Sequence, residues 1–204
     1  MSIQTSPSSL ILPNEAVREY HSIAAKGPML DRVYSMRYRS YSEEGYIEKS
    51  SSKKFMDEFD SLPSCTSYLT YFGKKAIGSV RASVYTPANG GDVPAMEVFE
   101  KEIRDNVDMD KPFVETNKFV IDPSFQKSGG VRARFNIFKN IAEEAVKCDA
   151  SSVIIAVRPE HVKFYRLLLF KPISGSKKYP HLAFDTVLLM CNEKSAIQKV
   201  VNRG

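Results

Sequence analysis

The chain has 204 residues, 43% of them hydrophobic and 26% charged, with 29 Lys and Arg against 24 Asp and Glu for a net charge of +5. That length carries one domain with a real core, and the apolar content is too high and the net charge too low for a chain that stays unfolded. No run approaches the roughly 18 apolar residues of a membrane span, and the opening MSIQTSPSSLILP, without a basic segment, does not read as a signal peptide.

Residues 1–13 read as a loose polar arm, followed by a weakly patterned helix from Glu15 to about Ala25. Asp31 to Met36 reads as a short strand running into a helical Arg37–Tyr41, and Ser50–Lys54 as a loop. Two strands follow, Thr66–Phe72 and Ala76–Tyr85, joined as a hairpin through Gly73, Lys74 and Lys75. A long insertion, 86–111, contains Asn89-Gly90-Gly91 and a helix marked by Met96, Phe99 and Ile103.

The second half is more regular. Phe113–Ile121 is a strand stopped at Asp122-Pro123, and a Gly129-Gly130 loop leads into a helix from about Arg132 to Lys147. Ser152–Val157 is a nearly all-apolar strand, as expected of one buried on both faces. Pro159 starts a helix bearing His161, Phe164, Tyr165 and Leu168; strands at Lys171–Ile173 and Phe184–Cys191 complete the sheet. The order predicts an α/β (α+β) chain around one mixed sheet: an arm and helix over 1–25, then a single domain over 26–204.

Cys65, Cys148 and Cys191 are odd in number and far apart, and His21, His161 and His181 are scattered. A disulfide framework and a metal site are therefore not expected, and a reducing cytoplasm is. Charge is uneven: 15 basic against 18 acidic residues up to Ser124, and 14 against 6 beyond it. The C-terminal half thus favours an anionic ligand or partner. Nucleic acid is the weakest such reading, because no recognition helix or stacking motif is present.

Two constellations carry chemistry. In FVETNKFVIDPSFQKSGGVRARF a strand, a Gly-containing turn and a helix start follow one another, which is the arrangement of an anion site built from free helix N–H groups. Gln126, Gly129 and Gly130 let the backbone curl around a phosphate, and Arg132 and Arg134 add charge; a plain surface loop fits the glycines equally well. In PEHVKFYR, Tyr165 at a helix start beside a sheet is placed to give its proton to a departing thiolate. The other reading buries Phe164 and Tyr165 as ordinary core.

The two together, Glu115-x-x-x-Phe119-Val120-Ile121-Asp122-Pro123-x-x-Gln126-x-x-Gly129 and His161-x-x-Phe164-Tyr165-x-x-x-x-Phe170, resemble the GCN5-related N-acetyltransferase superfamily over about residues 30–195. Tyr34-x-x-Arg37-Tyr38-Arg39, Asp57-Glu58-Phe59-Asp60, Ile77-Gly78-Ser79-Val80-Arg81 and Glu115-Thr116-Asn117-Lys118-Phe119 are similar to two of its branches. These are the autoinducer (acyl-homoserine lactone) synthases and, more closely, the long-chain N-acyl amino acid synthases. Val131 departs from the usual third small residue of the donor loop. Lys118 stands where the autoinducer synthases usually carry arginine.

The resemblance implies a mainly antiparallel sheet split by a V-shaped acyl-donor cleft, and an N-acyltransferase of the 2.3.1 type. Its cosubstrate is an acyl-phosphopantetheine thioester, carried by an acidic acyl carrier protein or by coenzyme A; no permanent cofactor, metal or membrane insertion is implied. The acceptor is the amine of an amino acid or another small amine. Glu115 is the candidate base, through a water, and Tyr165 the candidate acid. The strand around Phe119, Val120 and Ile121 supplies a backbone N–H for the oxyanion, at a bulge. Gln126, Gly129, Gly130, Val131, Arg132 and Arg134 hold the donor, and Lys127 and Lys139 join the two arginines in steering a carrier protein. Arg81 and Arg37 are candidates for an acceptor carboxylate, Asp57 and Asp60 for its ammonium or for pairing with those arginines. Met96, Phe99 and Ile103 are either the wall of an acyl pocket or a small satellite core. The alternatives are an acetyl-coenzyme A N-acetyltransferase and a catalytically silent module that binds a thioester or carrier protein.

Overall fold

The computed structural model describes residues 19–88 and 93–202, with the side chains of 127–130 outside that description. Seven strands, β1 (Tyr20–Ala24), β2 (Cys65–Phe72), β3 (Lys75–Tyr85), β4 (Phe113–Ile121), β5 (Val153–Val157), β6 (Lys171–Lys178) and β7 (Asp185–Cys191), form one sheet in the order β1-β2-β3-β4-β5-β7-β6. Every neighbouring pair is antiparallel except β4 and β5. The helices are α1 (Pro28–Glu43), α2 (Met96–Asn106), α3 (Pro123–Lys147), α4 (Val162–Arg166) and α5 (Lys194–Asn202).

Strand alternation decides what each face of the sheet meets. Val80, Ala82, Val114, Val153 and Ile155 pack with Ile137, Ile141 and Ala145 of α3 in the largest apolar cluster. Tyr85, Phe113, Ile154 and Leu188 join Phe99 and Ile103 of α2 in a second cluster, and Leu69 joins Val33 and Met36 of α1 in a third. Each Val, Leu, Ile, Phe or Met among them, fully buried, contributes roughly 1.5–3 kcal/mol. Gly78 marks the tightest approach of α3: a Cβ there would lie 2.3 Å from Ile137 Cδ1 and 2.7 Å from the Val120 carbonyl oxygen.

Four expectations are corrected. The helix expected up to Ala25 is the edge strand β1 at Tyr20–Ala24, where alternate half-buried residues pair with β2, and the arm lies outside the described residues. The strand expected at Asp31–Met36 is part of α1: Pro28 takes a first-turn position, and Val33, Met36, Arg37 and Ser40 are buried at helical spacing. The helix expected from Arg132 starts at Pro123, because Asp122 caps it by accepting from the Ser124 N–H, and it runs through Gly129 and Gly130 instead of turning there. A last helix, α5, closes on α3 and buries Ile197 without having been foreseen. The strands from Cys65 to Tyr85, β4, β5 and the α2 helix stand where the sequence puts them. The Asn89-Gly90-Gly91 turn lies outside the described residues.

Candidate active site

The one parallel pair is short. β4 pairs with β5 only through Val114–Thr116 against Val153–Ile155, yet β4 continues to Ile121 and β5 to Val157. Beyond Thr116 the two strands part, and a cleft of about 1050 Å³ opens between them, lined by Phe119, Val120 and Ile121 on one side and Ile155, Ala156 and Val157 on the other. A bulge in β4 contributes to the opening: between the Arg81–Asn117 and Ser79–Val120 pairs, β4 has two residues and β3 one. Lys118, in the bulge, takes φ +50°, a left-handed conformation that costs a non-glycine residue about 1–2 kcal/mol.

Glu115 and Tyr165 line this cleft together. Glu115 is fully buried; its Oε2 accepts from the Ala95 N–H at 2.8 Å and its Oε1 from Asn117 Nδ2 at 3.0 Å. Burial raises its carboxyl from 4.5 to about 7, against the opposing pull of those two hydrogen bonds and of Arg81. Tyr165 is 6% exposed, edge-on to Phe164 and Phe170, and burial holds its phenol protonated well above its ordinary 10.

Beneath Glu115 lies a buried ion network. Arg81 is fully buried with all three nitrogens engaged: Nε on Asn117 Oδ1 at 2.7 Å, Nη1 on Asp57 and Asp60, Nη2 on Asp57 at 3.1 Å. Arg37, also fully buried, gives Nη1 to Asp60 at 2.8 Å and Nη2 to Ser67 Oγ at 2.7 Å. Asp57 also meets Lys118 Nζ at 3.1 Å; burial pushes its carboxyl up, but Arg81 and Lys118 outweigh that and hold it at about 2. Of the four residues expected at the acceptor, Arg81 and Asp57 reach the cleft wall, whereas Arg37 and Asp60 lie behind it.

Of the residues expected to hold the donor, Phe119, Val120, Ile121, Gln126 and Arg134 line the cleft; Gln126 Nε2 donates to the Ile121 carbonyl at 3.2 Å, and Arg134 lies 5.9 Å from the Phe164 ring. Val131 and Arg132 are exposed on α3 outside the lining, Gly129 and Gly130 lie within the helix, and the side chain of Lys127 lies outside the description. The expected cradle of free helix N–H groups takes a different form. The Ser124 N–H goes to the Asp122 side chain, and the Phe125 and Gln126 N–H groups go to the Asp122 carbonyl. Phe99 and Ile103 are fully buried in the second cluster with Met96 packed against it, so these three form a satellite core, while Pro94 and Glu97 of the same insertion line the cleft.

Among the lining residues not expected at the site are Asn117, Arg158 and Tyr179. Asn117 bridges Glu115 and Arg81, and strand alternation from Glu115 would have placed it on the same face. Arg158 at the end of β5 stacks on Tyr46 at 4.5 Å and meets Glu160 and His161. Tyr179, in the β6–β7 connection, feels the charge of Glu115 and Glu97 besides its own burial, which together keep its phenol protonated; no local signal marks it. Among the described residues no group of His, Cys, Asp and Glu is arranged to hold a metal, and no helix is long and apolar enough to cross a membrane.

The family described as N-acyl amino acid synthase FeeM matches residues 32–192. Among solved structures, FeeM, an N-acyl amino acid synthase from uncultured soil microbes, is similar with a TM-score of 0.72 and 17% identity, over 92% of this chain and 99% of that one. The acyl-homoserine lactone synthase LasI gives 0.66 and 12%, over 89% and 96%. The coenzyme A-dependent acyl-homoserine lactone synthase BjaI, with MTA, gives 0.65 and 12%, over 91% and 89%. At these identities the structures establish a shared fold. A comparison with curated proteins finds no match.

Proposed function

The chain belongs to the N-acyl amino acid synthase FeeM family and is an acyltransferase, and from that premise we propose that it moves a medium or long fatty acyl group from a carrier-bound thioester to the amine of an amino acid. The observation that carries this reading is a buried carboxyl held near neutrality and a protonated phenol on the walls of one cleft, where β4 and β5 part. The acyl-phosphopantetheine arm lies in the gap between the strands. Its phosphate end is met by Arg134 at the rim, with Arg132 outside it, and its thioester lies beside the free edge of β4.

Attack by the free amine on the thioester carbonyl forms the C–N bond, and one proton passes from the nitrogen to Glu115, through a water. The oxyanion is held by backbone N–H groups of β4 at the bulge, in the stretch Lys118–Ile121. The C–S bond then breaks, the departing thiolate takes its proton from Tyr165, and solvent closes the cycle by taking the proton from Glu115 and returning one to Tyr165. No covalent bond to the protein forms, and the three cysteines play no part.

Size favours a long chain. A cleft of about 1050 Å³ stands at the upper end of ordinary ligand pockets, roughly 300–1,000 Å³, and Phe55, Met56, Phe59, Leu182 and Phe184 give it apolar wall. The donor is an acyl carrier protein or acyl-coenzyme A; the basic surplus of the C-terminal half favours the acidic carrier protein. The test is incubation with acetyl and palmitoyl thioesters, on coenzyme A and on acyl carrier protein, together with the protein amino acids. Mass spectrometry should find N-palmitoyl amino acids. Turnover of acetyl-coenzyme A alone, or of no thioester, refutes the reading.

A further inference from the structure

Recognition of an amino acid, as distinct from a simple amine, needs a cation for its carboxylate. The two arginines that the sequence offers are poorly placed for it: every nitrogen of the Arg81 guanidinium already meets Asn117, Asp57 or Asp60, and Arg37 lies behind the cleft wall. Lys118 is different. It stands three residues after Glu115 in the β4 bulge, and it lines the cleft with a side chain 13% exposed. Its ammonium lies 3.9 Å over the Phe55 ring. Of the three N–H donors of that ammonium, Asp57 at 3.1 Å engages one among the described residues, and the same Asp57 is already held by Arg81. The left-handed backbone at Lys118 turns this side chain toward Asp57 and the cleft at a conformational cost that sheet pairing alone would not require.

Charge counting gives an independent reason. The network holds three cations, Arg37, Arg81 and Lys118, against Asp57, Asp60 and Glu115. Once Glu115 has taken a proton from the acceptor, three cations face two anions in a buried space, and one negative charge is missing. An α-carboxylate beside Lys118 supplies it, a few bonds from the nitrogen that faces Glu115.

We propose that Lys118 is the anchor for the acceptor's carboxylate and thereby the residue that selects amino acids over plain amines. The inference rests on the acyl-transfer reading above. Its test uses acceptor pairs that differ only in the carboxyl group, leucine with isoamylamine and phenylalanine with phenethylamine, and palmitoyl thioesters as donors.

The wild-type chain should prefer the amino acid of a pair in kcat/KM. Lys118→Met should erase that preference by about tenfold to a hundredfold, the worth of a charge-assisted hydrogen bond, mainly through KM of the amino acid, with the amine losing less than its amino-acid partner. Equal losses on both members of a pair, with turnover of each still measurable, overturn the proposal. If Lys118→Met stops turnover of both, Lys118→Arg decides: a kept preference for the amino acid supports the anchor, and indifference overturns it. A wild-type chain that acylates the amines and not the amino acids overturns the anchor alone. If no acceptor of any kind is acylated, the acyl-transfer reading fails, and the anchor with it.

Discussion

Replacing Glu115 by glutamine separates the chemistry of the site from its folding, because burial gives this carboxyl two measurable signatures. The folded chain holds its proton up to about pH 7, whereas an ordinary glutamate releases it near 4.5. A value raised on folding means that the group's contribution to stability is whole below 4.5 and is lost as pH rises through 7. The gap corresponds to roughly 3 kcal/mol. Glutamine does not titrate, so the variant should gain on the wild type by roughly that amount between about pH 4.5 and pH 8. A constant cost is set against this gain. The glutamine oxygen can accept from the Ala95 N–H, but its amino group then faces Asn117 Nδ2, which cannot turn because Asn117 Oδ1 is held by Arg81. That mismatch costs about 1–3 kcal/mol at every pH.

Activity should move the other way. Loss of a general base lowers kcat by about 10²–10⁴. After correction for the unprotonated fraction of the amine, wild-type kcat/KM should climb about tenfold per pH unit below about pH 7 and flatten above it. The variant should lack that limb. Thiol release followed with a chromogenic reagent across this range, and urea unfolding near pH 5 and pH 8, read both signatures. A variant within about fivefold of wild type, or one that keeps the acid limb, refutes the base; a stability difference that does not move with pH refutes the burial argument itself.

Tyr165→Phe should slow transfer from an alkyl thioester by about a hundredfold, and an aryl thioester, whose thiolate leaves without a proton, should restore most of the rate; equal losses on both donors argue against an acid role. Arg37→Ala leaves the Asp60 carboxylate buried beside Arg81 alone, and should cost about 3–5 kcal/mol in denaturant unfolding; a stability within about 1 kcal/mol of wild type contradicts the network. Gly78→Ala should cost about 1–3 kcal/mol, because the new methyl meets the Val120 carbonyl oxygen, which belongs to backbone and cannot rotate away; an unchanged unfolding midpoint shows that α3 and β4 yield there.

What was legible in the chain divides by the range of the interaction responsible. The β2–β3 hairpin, β4 and β5 are β-branched, aromatic or wholly apolar runs, so strand alternation within each run names it, and the pairing follows. Glu115 and Tyr165 were visible because both sit in motifs of fixed spacing, and they line one cleft. Tyr20–Ala24 alternates half-buried and exposed residues with none fully buried, so its strand character comes from β2 lying beside it. At Asp31–Met36 the local Val and Tyr suggest a strand, but a Pro28 start and a face buried at helical spacing decide for α1. Asp122-Pro123 reads equally as the end of a strand and the beginning of a helix, and it is both. The fate of Arg81 was hidden for a different reason: it depends on Asp57 and Asp60, more than 20 residues earlier, being folded onto β3 by a short turn that no periodicity announces.

The buried network explains why the carboxyl of Glu115 sits where it does. Replacing buried ion pairs by apolar side chains is often neutral or favourable for stability, so three cations and three anions under one cleft call for a reason besides stability. Asp57 and Asp60 cap the turn Glu58–Ser61 reciprocally and clamp it to Arg81, which fixes Phe55, Phe59 and Lys118 along the cleft. The same pairing leaves Glu115 between a cation, Arg81, that lowers its proton affinity and an anion, Asp57, that raises it. Asp57 works against the pull of Arg81, and burial, the largest influence, brings the carboxyl near neutrality against the hydrogen bonds from Ala95 and Asn117. A lone arginine beside Glu115 would have made it a permanent carboxylate and a weak base; a lone aspartate would have kept its proton on. An ion network that is close to neutral lets burial set the strength of the base while the arginine still holds Asn117 against it.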